Sequence, residues 1–393
     1  MNAMNKEVIY VDNNATTRVA PEVLAAMLPF LTDFYGNPSS MHRFGGQVKR
    51  HIDEAREKVA RLLNAEPSEI LFTSCGTEAD NAAIFSALEA DVRRRKIVTT
   101  RVEHPAVLAT AAVLQQRGYR VEYIPVDRLG RVDLDTVRRL VDDQTALVSA
   151  MWANNEIGNI YPVAEIAEIA HRAGALFHTD AVQAVGKVET DMKKVRADFL
   201  ALSGHKLHAP KGVGALYVRR GIKFHPYLIG GHQEEGLRAG TENVAGIIAL
   251  GRAADLALAH MAEEQTRVKA LRDYLESELM KRCPNPLLNG DPANRLPNTT
   301  NISFEYIEGE SILMFLNEYN IAASSGSACT SGSLEPSHVL RAMGVPYTAA
   351  HSSLRLSLSR YNTKAEMDKI IEVLPPIIHR LRELSPFGRE QPH

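Results

Sequence analysis

The sequence Ser-Gly-His-Lys-Leu-His-Ala-Pro-Lys-Gly, residues 203–212, directly follows a mostly apolar run at 197–202. Lys206 therefore lies just past the end of a predicted buried strand, where a lysine can form a Schiff base. Upstream, a second apolar run ends in Asp180, a carboxylate able to keep a pyridine nitrogen protonated. The two residues are the amine and the acid that a pyridoxal 5′-phosphate site requires. Each also has an ordinary interpretation, Lys206 as a surface lysine and Asp180 as an N-cap or loop residue.

Composition and charge are those of an ordinary globular protein. The chain has 393 residues, 45% of them apolar and 23% charged, with a formal net charge of −2. This length allows a large core and more than one domain. The charge gives no indication of non-specific nucleic-acid binding. Because no run reaches the roughly 18 apolar residues of a membrane span, and the first residues lack a signal-peptide pattern, we expect a cytoplasmic protein with no nucleic-acid or membrane partner.

The cysteine count is low and odd. Cys75, Cys283 and Cys329 are too few and too dispersed to form a disulfide framework. None lies in a CxxC or in a Cys/His cluster with zinc spacing. We therefore expect no bound structural metal.

Apolar and amphipathic stretches alternate through the first two thirds of the chain. This spacing indicates βαβ units and a mainly parallel sheet. The predicted strands are 70–73, 97–100, 121–126, 145–152, 175–179, 199–203 and 214–218, and the predicted helices are 78–90, 107–117, 134–141 and 163–173.

The pattern changes after about residue 251, which predicts a second, α+β domain. A long amphipathic helix is expected at 263–282 and a loop at 285–300. A closing helix at 364–374 should break or bend at Pro375-Pro376, since proline removes a helix donor, and residues 377–381 could resume it. The predicted strands are 301–304 and 354–359, with a further helix at 311–317.

Two turns between strand and helix carry candidate ligand contacts. Gly76 and Thr77 open a predicted helix whose free N–H groups and dipole attract a phosphate. The alternative is an ordinary helix start with Thr77 as N-cap. His104 could stack on an aromatic cofactor and move protons, or be a capped, partly exposed histidine. Ser203 and His205, beside Lys206, offer further phosphate donors.

Two residues near the end of the chain are candidates for work on a substrate. Residues 324–333 are small and polar, which predicts an exposed, mobile loop with an accessible Cys329. Its thiolate would be a nucleophile only if its pKa is tuned, and the alternative is a buried, inert cysteine. Arg355 lies in an alternating run at 353–358. It could face inward and clamp a substrate carboxylate, or face outward from a half-buried strand.

Several motifs, taken in order, make the chain resemble a known family over nearly its whole length. It is similar to the cysteine desulfurases, enzymes of the class-V aminotransferase type that depend on pyridoxal phosphate, and most similar to the nitrogenase-associated type. The motifs are Gly36-Asn37-Pro38-Ser39-Ser40-Met41-His42, Thr73-Ser74-Cys75-Gly76-Thr77-Glu78, Asn154-Asn155-Glu156-Ile157-Gly158, the Lys206 segment, Arg238-Ala239-Gly240-Thr241-Glu242-Asn243, and residues 324–338.

The resemblance implies a role for each matching residue. Lys206 would hold the coenzyme as a Schiff base and Cys329 would accept sulfur, with Lys206, His104 and Cys329 as the catalytic residues. Asn155 and Arg355 would hold the substrate. The remaining coenzyme contacts would be Asp180 at the ring nitrogen, Gln183 at the ring oxygen, His104 and Asn155 at the ring, Gly76, Thr77, Ser203 and His205 at the phosphate, and Thr241 of the partner subunit.

The resemblance also implies a fold and an overall reaction. The fold would be that of aspartate aminotransferase (fold type I), with a large domain at 16–262 and a small domain at 1–15 and 263–393. A homodimer would convert L-cysteine to L-alanine. A persulfide on Cys329 would then supply an iron–sulfur scaffold, for nitrogenase maturation or for general cluster assembly.

Two other functions remain open at this point. One is a different pyridoxal phosphate enzyme of the same fold, such as an aminotransferase or a selenocysteine lyase. The other is a non-catalytic scaffold that carries sulfur or metal, which three dispersed cysteines fit poorly.

Overall fold

The computed structural model describes residues 8–325 and 336–385. In these ranges the strands are β1 (Ile9–Tyr10), β2 (Ile70–Thr73), β3 (Lys96–Thr100), β4 (Arg120–Ile124), β5 (Thr145–Ser149), β6 (Leu176–Asp180), β7 (Phe199–Ser203), β8 (Gly214–Val218), β9 (Pro286–Leu288), β10 (Thr299–Phe304), β11 (Ile321–Ala322) and β12 (Ser353–Ser357). The α-helices are α1 (Pro21–Met27), α2 (Pro29–Thr32), α3 (Arg43–Leu62), α4 (Gly76–Ala90), α5 (Pro105–Gln116), α6 (Leu134–Leu140), α7 (Val163–Arg172), α8 (Met192–Val195), α9 (Val244–Glu263), α10 (Lys269–Arg282), α11 (Gly309–Glu318), α12 (His338–Ala342), α13 (Tyr347–His351) and α14 (Lys364–Leu384).

A seven-stranded sheet forms the centre of the molecule, in the order β2-β8-β7-β6-β5-β3-β4. Every neighbouring pair is parallel except the two that contain β8. The prediction of a mainly parallel sheet is confirmed. Because β8 runs against both of its neighbours, β2 points the same way as β7. The carboxyl ends of β2, β3, β5, β6 and β7 therefore meet at one edge.

Helices cover both faces of this sheet. On one face α4 and α5 pack against Leu71, Ile97, Leu147 and Phe199. The other face carries α3, α7 and α9. Strands buried on both sides are rich in apolar residues. This burial explains why the middle of β3, β5 and β7 reads in the sequence as a short apolar run rather than as an alternation.

A smaller antiparallel sheet, ordered β12-β10-β9, belongs to a second unit. It shares a hydrophobic core with α10, α11 and α14. The buried residues of this core are Val11, near the start of the chain, and residues from Val268 onward. That arrangement supports the domain division at 1–15 plus 263–393 and 16–262, which stays a proposal. Helices α12 and α13 cross this division, since Val339 and Leu340 join a core of the large sheet.

One continuous helix connects the two units. It runs from Val244 to Arg282 and includes a π-helical segment, Glu264–Val268, between α9 and α10. The sequence predicted only its second half. The helix is long and apolar enough to cross a membrane, but α9 packs on α3, and a Cβ at Gly251 would come within 2.7 Å of the Cβ of Ala55. It is therefore a core helix.

Helix α14 does not stop at the two prolines. It continues through Pro375 and Pro376 to Leu384, so the segment expected to resume at 377–381 belongs to the same unbroken helix. A proline inside a helix costs about 3 kcal/mol through its missing N–H and its ring. Here the apolar stripe on both sides of the prolines offsets that cost, because Ile370, Leu374 and Ile378 are fully buried.

Candidate active site

A cavity of about 340 Å³ opens at the carboxyl edge of the large sheet. It brings together most of the site residues expected from the sequence, although they are spread over nearly 280 positions of the chain. Its lining includes Gly76, Thr77, His104, Asn155, Asp180, Gln183, Ser203, His205, Lys206 and Arg355.

Lys206 enters the cavity from the turn that follows β7. The turn is a single 3-10 segment, Gly204–Lys206. A Cβ at Gly204 would come within 2.9 Å of Val213 Cγ1, so the close packing requires glycine. The Lys206 Nζ donates to the carbonyl oxygens of Asn14 at 2.5 Å and Ala15 at 2.6 Å. Its amine is thus positioned by backbone from the start of the chain.

Asp180 lies at the end of β6 and is 6% exposed. Its Oδ1 accepts from the Val182 N–H at 2.9 Å. Burial raises the pKa of this carboxyl, whereas the nearby His104 and Lys206 act to lower it. The side chain is neither an N-cap nor a surface loop residue. A carboxylate in this setting gains from a cationic ligand, such as a protonated ring nitrogen.

His104 is the N-cap of α5 and also lines the cavity, so both interpretations from the sequence describe part of its position. Its Nδ1 accepts from the Ala106 N–H at 3.1 Å. The neutral ring therefore carries its proton on Nε2. Burial lowers the His104 pKa, and the charge of Lys206 lowers it further, while Asp180 opposes both.

The N-terminus of α4 forms one end of the cavity. Its N-cap is Cys75, whose Sγ accepts from the Glu78 N–H at 3.4 Å, and not Thr77. Thr77 therefore lies within the first turn, where it lines the cavity. A Cβ at Gly76 would come within 2.8 Å of Val182 Cγ2, so the backbone approaches the cavity there as only glycine allows.

His205 and Ser203 lie opposite this helix end. His205 Nδ1 is 3.2 Å from the Thr16 hydroxyl. Burial, with the charge of Lys206, lowers the His205 pKa to about 4, so its imidazole is neutral at pH 7. Ser203 is buried at the end of β7 and adds a hydroxyl. Together with the α4 N–H groups these side chains are donors suited to a phosphate.

Gln183 is tied to the same backbone as Lys206. Its Nε2 donates to the Asn14 carbonyl at 2.9 Å, and its Oε1 accepts from Lys187 Nζ at 3.0 Å. The carboxamide is 4% exposed and lines the cavity. One carbonyl thus positions both the lysine and the glutamine.

Arg355 faces inward and is 2% exposed. Its Nη2 donates to Asp12 Oδ1 at 2.7 Å, and its Nη1 donates to the Asn155 carbonyl at 3.0 Å. The sequence predicted that an inward arginine needs an anionic partner, and Asp12 already supplies one. The Arg355 Nε is fully buried without a hydrogen-bond partner.

Thr241 does not line this cavity, and the position of Cys329 is not described. Thr241 lines a separate cavity of about 130 Å³ with Arg238 and Asn243. Cys329 lies outside the described residues. On either side of that gap the chain is attached close to the site. Ser324 pairs with Arg355 through two backbone hydrogen bonds, and the Ser337 hydroxyl donates to the Glu156 carboxylate at 2.5 Å.

The cavity fits pyridoxal phosphate in the chemistry of its groups. A buried carboxylate, a lysine and a glycine-opened helix N-terminus surround one space. The α4 N–H groups, Thr77, Ser203 and His205 would hold the phosphate, and Asp180 would hold the ring nitrogen. Within residues 8–325 and 336–385 no cluster of His, Cys, Asp and Glu side chains has the arrangement of a metal site.

Sequence reasoning missed three residues of the site. Asn14 supplies the shared carbonyl, and its Nδ2 donates to the Thr299 hydroxyl at 2.9 Å. Asp12 pairs with Arg355. Asp80, 1% exposed, lines the cavity beside Asp180, and both burial and the Asp180 charge raise its pKa. The sequence did contain an indication of Asp80, because it lies one helical turn after Gly76 and Thr77 and therefore on the same side of α4.

Comparisons with known proteins agree with this geometry. The family model described as aminotransferase class-V matches residues 9–370. Cysteine desulfurase 2 of Trichormus variabilis is 60% identical over 384 residues, which cover 98% of this chain and 96% of the relative. The cysteine desulfurase NifS of Azotobacter vinelandii is 59% identical over 380 residues, which cover 96% and 94%.

A solved structure of a NifS-like protein has the same fold. It superposes with a TM-score of 0.90 at 40% identity, and the match covers 95% of this chain and all of that one. This confirms the α/β architecture of fold type I, a large sheet domain with a smaller α+β domain. Members of the class-V family use pyridoxal phosphate. The chain therefore belongs to the class-V aminotransferase family and, within it, to the cysteine desulfurases.

Proposed function

We propose that this cavity binds pyridoxal 5′-phosphate on Lys206 and that the enzyme uses it to take sulfur from L-cysteine, with Cys329 as the acceptor and L-alanine as the product. One observation carries the proposal. The amine of Lys206 and the buried carboxylate of Asp180 share a cavity with the open N-terminus of α4. That combination supplies an attachment point, a ring partner and a phosphate site.

The bound coenzyme would draw electrons from the Cα of an amino-acid substrate. Each residue has its own task. Lys206 Nζ takes the Cα proton and returns it, and Asp180 holds the proton on the ring nitrogen. Arg355 and Asn155 hold the substrate carboxylate. The other coenzyme contacts are His104 and Asn155 at the ring, Gln183 at the ring oxygen, and Gly76, Thr77, Ser203, His205 and Thr241 of the partner subunit at the phosphate.

Sulfur transfer requires a thiolate near the substrate. The Cys329 thiol loses its proton and attacks the substrate sulfur. A sulfur–sulfur bond forms as the carbon–sulfur bond breaks, and the electron pair of the broken bond stays on the substrate carbon. That carbon takes up a proton, and the product leaves as alanine. The enzyme keeps the sulfur as a persulfide. The anchoring of Ser324 to Arg355 supports this role, because five residues of chain span at most about 18 Å.

The test compares two cysteines. Cys329→Ala should abolish alanine formation from L-cysteine while the near-visible absorbance of the bound coenzyme remains. Cys283→Ala is the matched control, because that thiol is 5% exposed and burial raises its pKa to about 12. It should retain activity. Unchanged alanine production by Cys329→Ala would contradict the proposal, and amino transfer to a keto acid would indicate an aminotransferase.

We also propose that the persulfide serves iron–sulfur cluster assembly on a scaffold protein, with nitrogenase maturation as the specific case. The similarity to the Azotobacter NifS supports this destination. The test is sulfur transfer from the loaded enzyme to a purified scaffold in the presence of iron. Cluster absorbance should depend on Cys329. If free sulfide supports cluster formation at the same rate as the loaded enzyme, the persulfide sulfur is not transferred directly to the scaffold.

A cytoplasmic homodimer completes the proposal. Thr241 lies outside the cavity of its own chain, as expected if it serves the partner's site. Apolar side chains are exposed on and near α1 and α2 and before α9, where a second copy could cover them: Leu28, Leu31, Tyr35, Met41 and Ile229. The family is one of soluble enzymes, and the one long apolar helix found within residues 8–325 and 336–385 is internal.

A further inference from the structure

A buried lysine behind the cavity has no part in the chemistry proposed above. Lys187 follows the turn after β6 and is 7% exposed. Its Nζ donates to Gln183 Oε1 at 3.0 Å and to the Gln183 carbonyl at 3.1 Å. Lys187 lines a second cavity of only about 20 Å³, which Lys206 also borders, whereas Gln183 lines the large one. The Gln183 carboxamide therefore connects the Lys187 ammonium group to the large cavity.

The contact with Lys187 fixes which end of the Gln183 carboxamide faces which neighbour. An ammonium group can only donate hydrogen bonds, so the amide must turn its oxygen toward it. The amide nitrogen then faces the opposite way, where it donates to the Asn14 carbonyl at 2.9 Å. An NH₂ group has two protons. The first is used on Asn14, which leaves the second for the cavity.

The surroundings of Lys187 hold it in this position. Gln265, in the π-helical segment, donates from Nε2 to the Lys187 carbonyl at 2.5 Å. Glu264, from the same segment, lines the small cavity with Lys187 and is 7% exposed. Burial lowers the Lys187 pKa to about 8, while the Glu264 charge opposes that shift and the Arg355 charge adds to it. The cavity also contains His260 and Arg360.

We infer that Lys187 is a positioning residue for the coenzyme site. It locks the Gln183 carboxamide with its N–H toward the cavity, so that the amide can only donate to an oxygen acceptor on the coenzyme ring. Without Lys187 only the hydrogen bond to the Asn14 carbonyl holds the carboxamide in this orientation, so its N–H is directed less firmly toward the cavity. The inference rests on the proposed contact between Gln183 and the coenzyme, and it adds the residue that determines the polarity of that contact.

The test measures the bound coenzyme directly. In the holoenzyme, Lys187→Met keeps an unbranched side chain and removes the donors. The pH midpoint of the coenzyme absorbance band should shift by about half to one unit, the size expected for one lost hydrogen bond. Gln183→Leu should shift it in the same direction and by at least as much. The double variant should add nothing, because both changes remove one interaction.

His260→Gln is the matched control. It changes the lining of the same small cavity and leaves the Lys187–Gln183 hydrogen bond and the Glu264 charge in place, so the band should keep its wild-type midpoint. Lys187→Met could fail to fold because it leaves the buried Glu264 without a cationic partner. In that case the double variant Lys187→Met/Glu264→Gln is used, and its absorbance midpoint should shift by the amount expected for Lys187→Met.

Two results would overturn the inference. One is a wild-type midpoint in the folded Lys187 variant, and the other is a shift that adds to that of Gln183→Leu. A wild-type protein that binds no coenzyme would instead refute the proposed function, so the two failures can be told apart.

Discussion

At the scale of single residues, burial decides which groups of this site are charged. Asp180, Asp80 and Glu103 are all nearly inaccessible to solvent, and burial raises the pKa of each. Such carboxyls ionise only where a cation or donor compensates for lost water. His104 and Lys206 act to lower the Asp180 pKa, whereas the Asp180 charge adds to the rise in the Asp80 pKa. His178 Nε2 lies 3.3 Å from Asp80 Oδ1, but burial lowers the His178 pKa to about 3, so that ring is neutral at pH 7. Of the two acids, Asp180 is therefore the one that has nearby cations to favour its ionised form.

Glu103 gives a pH-dependent prediction. It precedes His104, its Oε1 accepts from Thr100 Oγ1 and the Met151 N–H, and its Oε2 is buried without a partner. Burial raises its pKa to about 8. The folded state therefore binds a proton that the unfolded state releases above about pH 4.5. Stability contributed by Glu103 is complete below that pH and is lost as the pH rises toward 8.

Glu103→Gln keeps the shape of the side chain and removes this titration. We compare the thermal unfolding midpoints of the variant and the wild type at the same pH. The midpoint of the variant should rise relative to that of the wild type as the pH increases from about 4.5 to 8. The measurement is a series of thermal scans across that range. A difference that stays constant with pH would show that Glu103 does not titrate in this window.

At the scale of elements, a close contact holds α9 against α3 on one face of the large sheet. Helix α9 approaches α3 at Gly251, and the same helix continues into the second unit through the π-helical segment. Periodicity predicted α10 but not α9, because α9 is apolar on nearly all sides and shows no amphipathic pattern. Helix α14 shows the opposite case, since its apolar stripe outweighs two prolines that locally predict an end.

Gly251→Ala tests the contact between α3 and α9. A new Cβ would come within 2.7 Å of both the Cα and the Cβ of Ala55, so the helices must separate. We expect a loss of about 1–3 kcal/mol in the free energy of unfolding, as for other overpacked cores. Gly46→Ala in α3 is the control, since its Cβ would have no neighbour within 4 Å.

The control should stabilise the protein by about 0.5–1 kcal/mol, because alanine is the better helix former. Denaturant unfolding of both variants provides the comparison. Equal stabilities would show that the helices do not approach as closely as the structure has them.

At the scale of the whole molecule, the site is built from segments that lie far apart in the chain. Residues 12–15 reach across from the second unit to contact both Lys206 and Arg355. Ser324 and Ser337 attach the ends of the Cys329 segment to Arg355 and Glu156. The proposed dimer adds Thr241 of the partner subunit. Coenzyme binding should therefore depend on how the units and subunits are assembled.

Subunit mixing tests the proposed sharing of Thr241. Thr241→Val and Lys206→Ala homodimers should each have impaired sites. A mixed dimer would have one complete site, with the intact Lys206 of one subunit and the intact Thr241 of the other. Desulfurase activity should rise on mixing and exchange, by an amount proportional to the mixed dimers formed. If Thr241 acts within its own chain, mixing would leave activity at the average of the two parents.

The sequence by itself determined the parts of this protein that depend on neighbouring residues. The alternation of apolar strands and helices predicted the sheet. Asp180 and Lys206, at or just past the ends of apolar runs, predicted a coenzyme site because they are the acid and the amine that pyridoxal phosphate requires. Only the tertiary structure decided the partners of those residues. Asp12 pairs with Arg355 across 343 positions, and the Asn14 carbonyl joins Gln183 to Lys206 across more than 160. Local periodicity carries no information about such contacts, since packing alone brings them together.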